Sequence, residues 1–427
     1  MKEFKKIWCA VLSMVIIYLS ALIMLRFGIL SDTHKKMSGI EEAAVGFEEF
    51  TIPQDAAVIG IGEATHGNRE FQTLKKLVFQ KMVSGKNAGA IAFELSAGEA
   101  AMLNDAIHDD KSDIIALLGK QSYPLYDTEE IADLLYWMRD YNKTVPYEDS
   151  LMFYGVDMQG GFASIEYMQE IAKQDPDMFT SEEKAKLLSI DTEDPESYRN
   201  EKDLYEDMLK RLNEKSDVKS RQLAVLTEVM LQYTDAPSFE ENPGEYSAYR
   251  DRCMAENLKR FWELEEERGY PQILITAHNG HVMKGSSAAY SDDTNLTMGE
   301  NIKRIFDGSY FCIGSEFYNA RVNIHTAGTY DEEYERADHD YCSDDPLAYQ
   351  AKFFDGGWYC LDYTKLSDTD SAVYKTVHSP VFTGLVGEGY NVLNDIEKSY
   401  RMKIVPADRY DAVVYYYEVN PIDPIHY

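Results

Sequence analysis

The chain has 427 residues, of which 42 are basic and 74 acidic, so its formal net charge at pH 7 is −32. A polyanion of this size repels phosphate backbones, and the composition therefore argues against nucleic-acid binding. A hydrophobic fraction of 44% excludes general disorder, and five cysteines without a C-x-x-C pair exclude a disulfide-dense scaffold.

The amino terminus carries an apolar segment. Lys2, Lys5 and Lys6 precede an uncharged run over residues 7–25, which Arg26 closes. As a helix this run would extend about 28 Å, roughly one hydrocarbon thickness. A cleavable signal has a shorter apolar core and a small-residue exit, whereas bulky residues follow this run. We therefore expect residues 1–30 to form a transmembrane anchor; a cleaved signal is the alternative, and a buried soluble helix is least favoured.

The basic residues stand on the amino-terminal side of this run, so the positive-inside rule leaves the amino terminus in the cytoplasm. The sequence thus predicts a single-pass protein of the cell membrane with an extracellular domain, joined by a tether at residues 31–50. Thiols can oxidise outside the cytosol, which makes Cys342 and Cys360 a possible disulfide pair.

Five short apolar runs then alternate with helical patterns. Such runs are typical of strands covered on both faces, as in a parallel sheet between helix layers. The predicted strands are 57–62, 89–93, 151–156, 272–277 and 310–314. Helical spacing at 69–83 and 298–306 completes the pattern, so residues 51–427 are predicted to form a three-layer α/β sandwich with a central, mostly parallel sheet.

Residues 163–262 break this rhythm, because they are rich in Glu, Lys and Leu and lack strand signals. Thr180 and Glu183 form a T-x-x-E capping box, which marks the start of a helix. We predict a helical insertion here, lying beside the site. Two aromatic segments, 356–363 and 412–419, are predicted to form further strands.

Ionisable side chains follow the predicted strands at their carboxyl ends, where open parallel sheets bind ligands. This edge collects Glu63, His66, Glu94, Asp157, Gln159, His278, His281 and Glu316. Several histidines and carboxylates at one edge indicate a catalytic site. Each also has an ordinary interpretation: Glu63 as a helix cap, His66 as filling for a buried turn, Asp157 as a loop brace, and His278 with His281 as metal ligands.

Seven segments resemble motifs of one family, and they occur in the family's order. GEATHGNREF at 62–71 resembles the G-E-x-T-H-G-x-x-E-F signature of the erythromycin esterase family. The other six are AFELSAGEA (92–100), YWMRDYN (136–142), FYGVDMQ (153–159), YRDRCMAENL (249–258), AHNGHV (277–282) and TMGENI (297–302). The resemblance spans roughly residues 50–320.

This resemblance implies an α/β fold with a deep cleft and ester hydrolysis without a metal or cofactor. His66 matches the general base, Glu63 and Glu94 match the two acids, and His278 and His281 match the H-N-x-H pair. Water at neutral pH is a poor nucleophile, so a base with a pKa near 7 must take its proton. A carboxylate beside the base, from Glu63 or Glu94, would fix its tautomer.

The resemblance also implies a set of substrate-binding residues. Family members commonly carry Arg nine residues after the base, where this chain has Lys75, and Arg69 is a possible substitute. Asp157 and Arg250 complete the set. We expect His281, Lys75 or Arg69 to stabilise the oxyanion; alternatively, a neutral His278 orients the water, and the sequence does not separate the two histidines.

The sequence therefore predicts a membrane-anchored hydrolase that cleaves a lactone or acyl ester, in a small molecule or in the envelope, on the outer side of the membrane. Antibiotic resistance is the role of the eponymous esterases, but these work in the cytoplasm. Two alternatives remain: a metal-dependent hydrolase that uses the His/Glu cluster, and a non-catalytic extracellular protein that binds carbohydrate or peptide.

Overall fold

A computed structural model describes residues 2–26, 35–175, 177–286, 295–327 and 335–426. Residues 27–34, part of the predicted anchor and tether, lie outside the described residues. The ten strands are β1 Val58–Glu63, β2 Ala88–Ser96, β3 Met152–Asp157, β4 Gln272–His278, β5 Tyr310–Ala327, β6 Glu335–Cys342, β7 Trp358–Asp362, β8 Val381–Gly384, β9 Arg401–Ile404 and β10 Ala412–Val419.

The helices of the first half are α1 Lys2–Arg26, α2 Ile40–Ala43, α3 Arg69–Ser84, α4 Ala97–Ala106, α5 Ile114–Leu118, α6 Glu129–Asn142, α7 Gly161–Gln174 and α8 Ser181–Ser189. Those of the second half are α9 Pro195–Arg199, α10 Lys202–Leu212, α11 Val218–Asp235, α12 Pro243–Glu267, α13 Asn279–Val282, α14 Met298–Ile305, α15 Ala372–Val377, α16 Val392–Glu397 and α17 Pro406–Arg409.

Eight strands form one sheet in the order β3-β2-β4-β1-β5-β10-β7, with β6 paired to β5. The strands from β3 to β10 run parallel, whereas β7 and β6 pair antiparallel with β10 and β5. β8 and β9 form a separate antiparallel pair. The five predicted parallel strands are confirmed, and the two aromatic segments form β7 and β10.

Helices cover both faces of the sheet. Ile59 and Ile61 of β1 pack in one cluster with α3, α4 and α6, whereas Val58 packs in another with α12 and α14. Successive side chains of a strand point to opposite faces, so this division places a helical layer on each side. The predicted three-layer α/β sandwich is confirmed.

The helices between β3 and β4 have a hydrophobic core of their own. Tyr205, Met208 and Leu223 are fully buried within it, contributed by α10 and α11. The predicted capping box is confirmed at the start of α8, where the Thr180 amide donates to Glu183 Oε2 (2.7 Å) and the Glu183 amide donates to Thr180 Oγ1 (3.2 Å). The predicted insertion is therefore a packed helical unit, and its last helix, α12, returns to the sheet.

Residues 35–50, within the predicted tether, lie against the sheet. Ile40 and Phe50 are buried, and the backbone of Val45 pairs with that of Cys360. Cys342 and Cys360 are free thiols, so the possible disulfide is not formed.

Among the described residues, no helix combines the length and the apolar character that a membrane crossing requires.

Candidate active site

The order of the sheet brings the candidate side chains together. β1 and β4 are neighbours, and Glu63 pairs in register with His278. β2 lies on the other side of β4, where Phe93 pairs with Thr276, so Glu94 follows one position further along. Three strands of distant sequence thus end side by side at one edge of the sheet.

The loop after β1 is held in place by close backbone contact. A Cβ on Gly67 would lie 2.1 Å from the carbonyl oxygen of Asn323, so no larger residue fits there. The side-chain Nδ2 of Asn68 donates to the backbone carbonyls of Arg321 (2.8 Å) and Asn420 (2.9 Å). These contacts explain the glycine and asparagine of the THGN segment, and they fix the position of His66 between them and β1.

Glu63 holds the ring of His66. Oε1 of Glu63 lies 2.9 Å from His66 Nδ1, and both side chains are buried. Oε2 of Glu63 accepts from Gln72 Nε2 (2.8 Å) and from Lys75 Nζ (2.9 Å). Burial raises the pKa of Glu63, but Lys75 and His66 outweigh this effect, so the pKa lies below its usual value. Glu63 is therefore ionised beside the imidazole.

The same carboxylate sets the basicity of His66. Burial disfavours the charged ring, but the hydrogen bond and the charge of Glu63, followed by the charge of Glu94, raise the pKa of His66 above its usual value. Because Nδ1 is bound to Glu63, Nε2 is the nitrogen left for a substrate proton. This carboxylate–imidazole dyad settles which acid contacts the predicted base: it is Glu63.

Lys75 lies behind the dyad. It is buried, bound to Glu63 and Gln72, and its Nζ lies 4.6 Å from the ring centroid of Tyr126 and 5.3 Å from that of Phe93. Burial lowers the pKa of Lys75. Both neighbours hold the ammonium group of Lys75, which in turn keeps Glu63 ionised beside His66.

Glu94 organises a second group of charges. Its Oε2 accepts the backbone N–H of His278 (3.0 Å), and its Oε1 lies 2.7 Å from Arg250 Nη2 and 3.2 Å from His281 Nε2. Burial raises the pKa of Glu94, but His281 and Arg250 outweigh it and hold the pKa far below its usual value. Glu94 is therefore an ionised anchor for both histidines of the H-N-x-H segment.

Arg250 links two acids from different strands, Asp157 of β3 and Glu94 of β2. Its Nε lies 3.1 Å and 3.0 Å from the two carboxylate oxygens of Asp157, and its Nη2 contacts Asp157 and Glu94. Its other terminal nitrogen, Nη1, makes no hydrogen bond to a carboxylate of the described chain and lies 3.4 Å from His281 Nε2. Arg250 thus has two nitrogens fixed by acids and one that faces the site.

His278 and His281 differ in protonation state at pH 7. Burial, followed by the charge of His66, lowers the pKa of His278 to about 4. Burial also opposes the charged form of His281, but Asp251 (Oδ1 2.5 Å from Nδ1) and Glu94 raise its pKa to about 9. At pH 7, His278 is neutral and His281 is a cation.

The rings of His66 and His278 lie together, with centroids 5.1 Å apart and planes tilted by 36°. His278, His281 and Arg250 line a cavity of about 710 Å³. Glu94 and Arg250 line a neighbouring cavity of about 190 Å³. His278, which lines the larger cavity, thus meets the buried ring of His66 more than 200 positions away in the sequence.

Arg69 is the predicted site residue that the structure does not bring into this cluster. Its guanidinium is half-exposed and pairs with Glu130 (3.4 Å) and Asp423 (2.7 Å) on the surface. The first residue of α3 faces outward, so Arg69 does not take the place of the family's arginine.

Two site residues were missed in the sequence. Asp251 holds the ring of His281, and Gln72 holds both Glu63 and the backbone carbonyl of His66 (2.8 Å). Asp251 directly follows Arg250 in the R-D-x-x-M-A-x-N motif, and Gln72 precedes Lys75 by one helical turn. The motif could have pointed to Asp251, whereas the only sign of Gln72 in the sequence was its spacing from Lys75 on the helix.

Within the described ranges, no group of three or more His, Cys, Asp or Glu side chains is arranged to hold a metal ion. Glu63 binds His66 and Lys75, whereas Glu94 binds Arg250 and His281.

The family model for erythromycin esterase matches residues 85–419. The chain belongs to the erythromycin esterase family. Membership of this family supports ester hydrolase activity. The matched region begins after Glu63 and His66, so the assignment of these two residues rests on their geometry and on the G-E-A-T-H-G segment.

The chain is similar in sequence to a known esterase and in fold to proteins of known structure. Erythromycin esterase type II of Escherichia coli is 23% identical over 316 residues, which cover 65% of this chain and 72% of that protein. A Bacillus cereus protein of known structure has a TM-score of 0.69 at 21% identity, covering 91% of this chain and 98% of its own.

Two further structures are similar. A succinoglycan biosynthesis protein has a TM-score of 0.66 at 18% identity, with 90% of this chain and 97% of that chain covered. A histidine-to-asparagine mutant of the erythromycin esterase EreC, in its open conformation, has a TM-score of 0.58 at 14% identity, with 86% and 91% covered.

We predict that the two histidines titrate far apart. In ¹⁵N NMR spectra of the histidine rings, His281 should remain protonated at pH 7 and lose its proton near pH 9, whereas His278 should be neutral down to about pH 4. Asp251→Asn removes the anion at Nδ1, so it should lower the pKa of His281. The exposed His378 serves as the reference ring; a shared titration of His278 and His281 near pH 6–7 would contradict the assignment.

Proposed function

We propose that this erythromycin esterase family member hydrolyses a carboxylic ester with a water molecule activated by His66. The observation that carries the proposal is the buried Glu63–His66 dyad, whose ring lies beside that of His278 at the edge of the large cavity. A positioned base of this kind contributes about 10²–10⁴-fold to a rate.

In the first step, a water oxygen attacks the ester carbonyl carbon and His66 Nε2 takes the water proton. The new C–O bond forms as the carbonyl π electrons move to oxygen, which becomes the oxyanion. The negative charge of Glu63 beside Nδ1 stabilises the resulting imidazolium. In the second step, the bond to the leaving alkoxide breaks, and the imidazolium returns its proton to that oxygen.

Arg250 is the donor we assign to the oxyanion. Its Nη1 faces the site, while Asp157 and Glu94 hold the rest of the guanidinium. A donor fixed before the reaction needs no reorganisation when charge develops, which is the basis of electrostatic catalysis. The alternatives considered from the sequence are engaged elsewhere: Lys75 with Glu63, both nitrogens of His281 with Asp251 and Glu94, and Arg69 with the surface.

His278 is the residue we assign to orienting the water. Its Nε2 lies 3.3 Å from the carbonyl oxygen of Ala64, to which a neutral ring donates, so Nδ1 is left as an acceptor. An uncharged ring next to His66 also avoids repulsion when the base becomes an imidazolium. His281 acts differently, because as a cation it neutralises Glu94 and Asp251.

We further propose that the domain works on the outer side of the membrane, on an ester of the envelope or on an extracellular small molecule. The support is the amino-terminal sequence, in which Lys2, Lys5 and Lys6 precede an uncharged run over residues 7–25.

We expect His66→Asn to reduce ester hydrolysis by about 10²–10⁴-fold, because it removes the base while keeping a polar side chain of similar shape. The measurement is kcat/KM over a panel of lactones, acylated sugars and aryl esters, with thermal melting recorded in parallel. His378→Asn, at an exposed ring outside the site, is the matched control. Retained turnover in His66→Asn would overturn the base assignment, and substrate binding without turnover in the wild type would favour a binding protein.

Glu63→Gln should change the pH profile. Hydrolysis needs the neutral form of His66, whose pKa is raised above 6.5, so wild-type kcat/KM should fall as the pH drops below a value higher than 6.5. Without Glu63, its hydrogen bond and its charge no longer oppose burial, and the weaker effect of Glu94 remains, so the pKa of His66 should fall and the acid limb should move to lower pH. The plateau rate should also fall, because the tautomer is no longer fixed.

The control for this profile is Glu99→Gln. Glu99 lines the smaller cavity, and burial raises its pKa to about 7, so it is a group beside the site that titrates in the same range. We expect the acid limb to keep its position in Glu99→Gln. Because Glu63→Gln leaves Lys75 without its carboxylate, the melting temperature is recorded for both variants. An acid limb of the kcat/KM profile that shifts in Glu99→Gln and stays in place in Glu63→Gln would refute the role of the dyad.

The proposed location predicts that the chain in intact cells reacts with an amine-labelling reagent that does not cross membranes. A form beginning at residue 35 lacks the apolar run and should remain unlabelled in the cytoplasm. A cytoplasmic marker protein in the same cells reports on lysis. Labelling of the full chain only after lysis would show that the domain lies inside.

A further inference from the structure

The wall of the large cavity is basic, in contrast to the chain as a whole. Arg250, His281, Arg401 and Lys403 line it, and Asp251 is its acidic residue among the described ones. Asp251 is already paired with His281. The carboxylates of Glu94, Asp157 and Asp251 already pair with Arg250 and His281, so Arg401 and Lys403 are the cations of this wall left to attract an anion.

Arg401 is partly free to bind a ligand. Its Nε donates to the carbonyl oxygen of Cys342 (2.9 Å), and its Nη1 lies 3.4 Å from Asp344 Oδ2. Nη2 is buried and has no hydrogen-bond partner among the described residues, and the side chain as a whole is 10% exposed. A buried guanidinium N–H without an acceptor costs free energy, and an anionic oxygen in the cavity would remove that cost.

Lys403 stands two residues further along β9. Side chains at alternate positions of a strand share a face, so Arg401 and Lys403 project to the same side. Lys403 packs its ammonium 5.9 Å from the ring centroid of Phe382, its partner across the β8–β9 pair. Within the described chain, no carboxylate lies within 4.0 Å of the Lys403 nitrogen. Arg401 and Lys403 thus line one wall of the cavity, and Nη2 of Arg401 and Nζ of Lys403 are the donors left for a ligand.

We propose that Arg401 and Lys403 form an anion subsite, which binds a carboxylate or phosphate group of the substrate while the scissile ester lies at His66 and His278. This inference rests on the proposed ester hydrolysis and names its substrate class, an ester that carries negative charge away from the reacting carbon. The subsite disfavours a cationic ester, such as a macrolide bearing an amino sugar, because like charges in a cavity repel.

The test compares 4-nitrophenyl half-esters of succinate, glutarate and adipate with neutral aryl esters of equal acyl length. The series of chain lengths lets the free carboxylate reach the subsite from the reacting carbon. The wild type should show a KM about tenfold lower for at least one charged ester than for its neutral counterpart, with the preference weakened by salt. Lys403→Met should remove this preference and leave hydrolysis of the neutral esters unchanged.

Arg401→Gln should remove the preference as well, but Arg401 also holds the backbone of Cys342, so the exposed Lys403 is the decisive position. Lys375→Met, at a lysine paired with Asp370 outside the cavity, is the matched control. Equal KM values for charged and neutral esters in the wild type, or a preference that persists in Lys403→Met, would overturn the subsite.

A binding measurement separates this inference from the catalytic proposal. Titration calorimetry of His66→Asn with succinate and with inorganic phosphate should detect binding of at least one anion, and binding should be lost in the His66→Asn, Lys403→Met double variant. Binding of succinate alone identifies a carboxylate subsite, and binding of phosphate alone a phosphoryl subsite. If no ester is hydrolysed but this anion binding is found, the subsite stands and the hydrolase proposal fails. If neither anion binds, the subsite is refuted.

Discussion

The buried carboxylates at the carboxyl edge of the sheet determine how the site is built. An unpaired charge in the protein interior costs several kcal/mol, so each acid must meet a cation in good geometry. Glu63 pairs with Lys75, and Glu94 pairs with Arg250. The orientation of His66 depends on Glu63, and the position of Glu63 depends on Lys75. Residues that do not touch a substrate therefore decide where the base points.

The same constraint divides the work between the two histidines of the H-N-x-H segment. Glu94 binds the backbone of His278 through one oxygen and the ring of His281 through the other. His281 has Asp251 on its second nitrogen and becomes a cation, whereas the ring of His278 lies between a carbonyl and His66 and stays neutral. The two rings are three positions apart in the sequence but differ in protonation state, because each has different contacts.

Much of the fold was predictable, because strands buried on both faces must be apolar throughout, and this pattern is local in the sequence. The edge that holds the site followed from the same strands, since the carboxyl ends of parallel strands meet. The direction of individual side chains was not predictable. Arg69 and Lys75 lie on one helix, but Arg69 meets an acid near the carboxyl terminus and Lys75 an acid of β1. A partner hundreds of residues away, such as Asp423 for Arg69, leaves no trace in local spacing.

Net charge and site charge act over different distances. Salt screens the field of a chain with net charge −32 within about 10 Å at 0.1 M ionic strength, so this charge slows the approach of an anion but does not set its affinity once bound. In the proposed subsite, the guanidinium of Arg401 and the ammonium of Lys403 act on the anion at contact distance, where salt weakens the attraction but does not abolish it. The acidic composition that argues against binding a nucleic acid therefore does not argue against a small anionic ester. A long polyanion must lie along the acidic surface, whereas a single carboxylate or phosphate needs only the wall of the cavity.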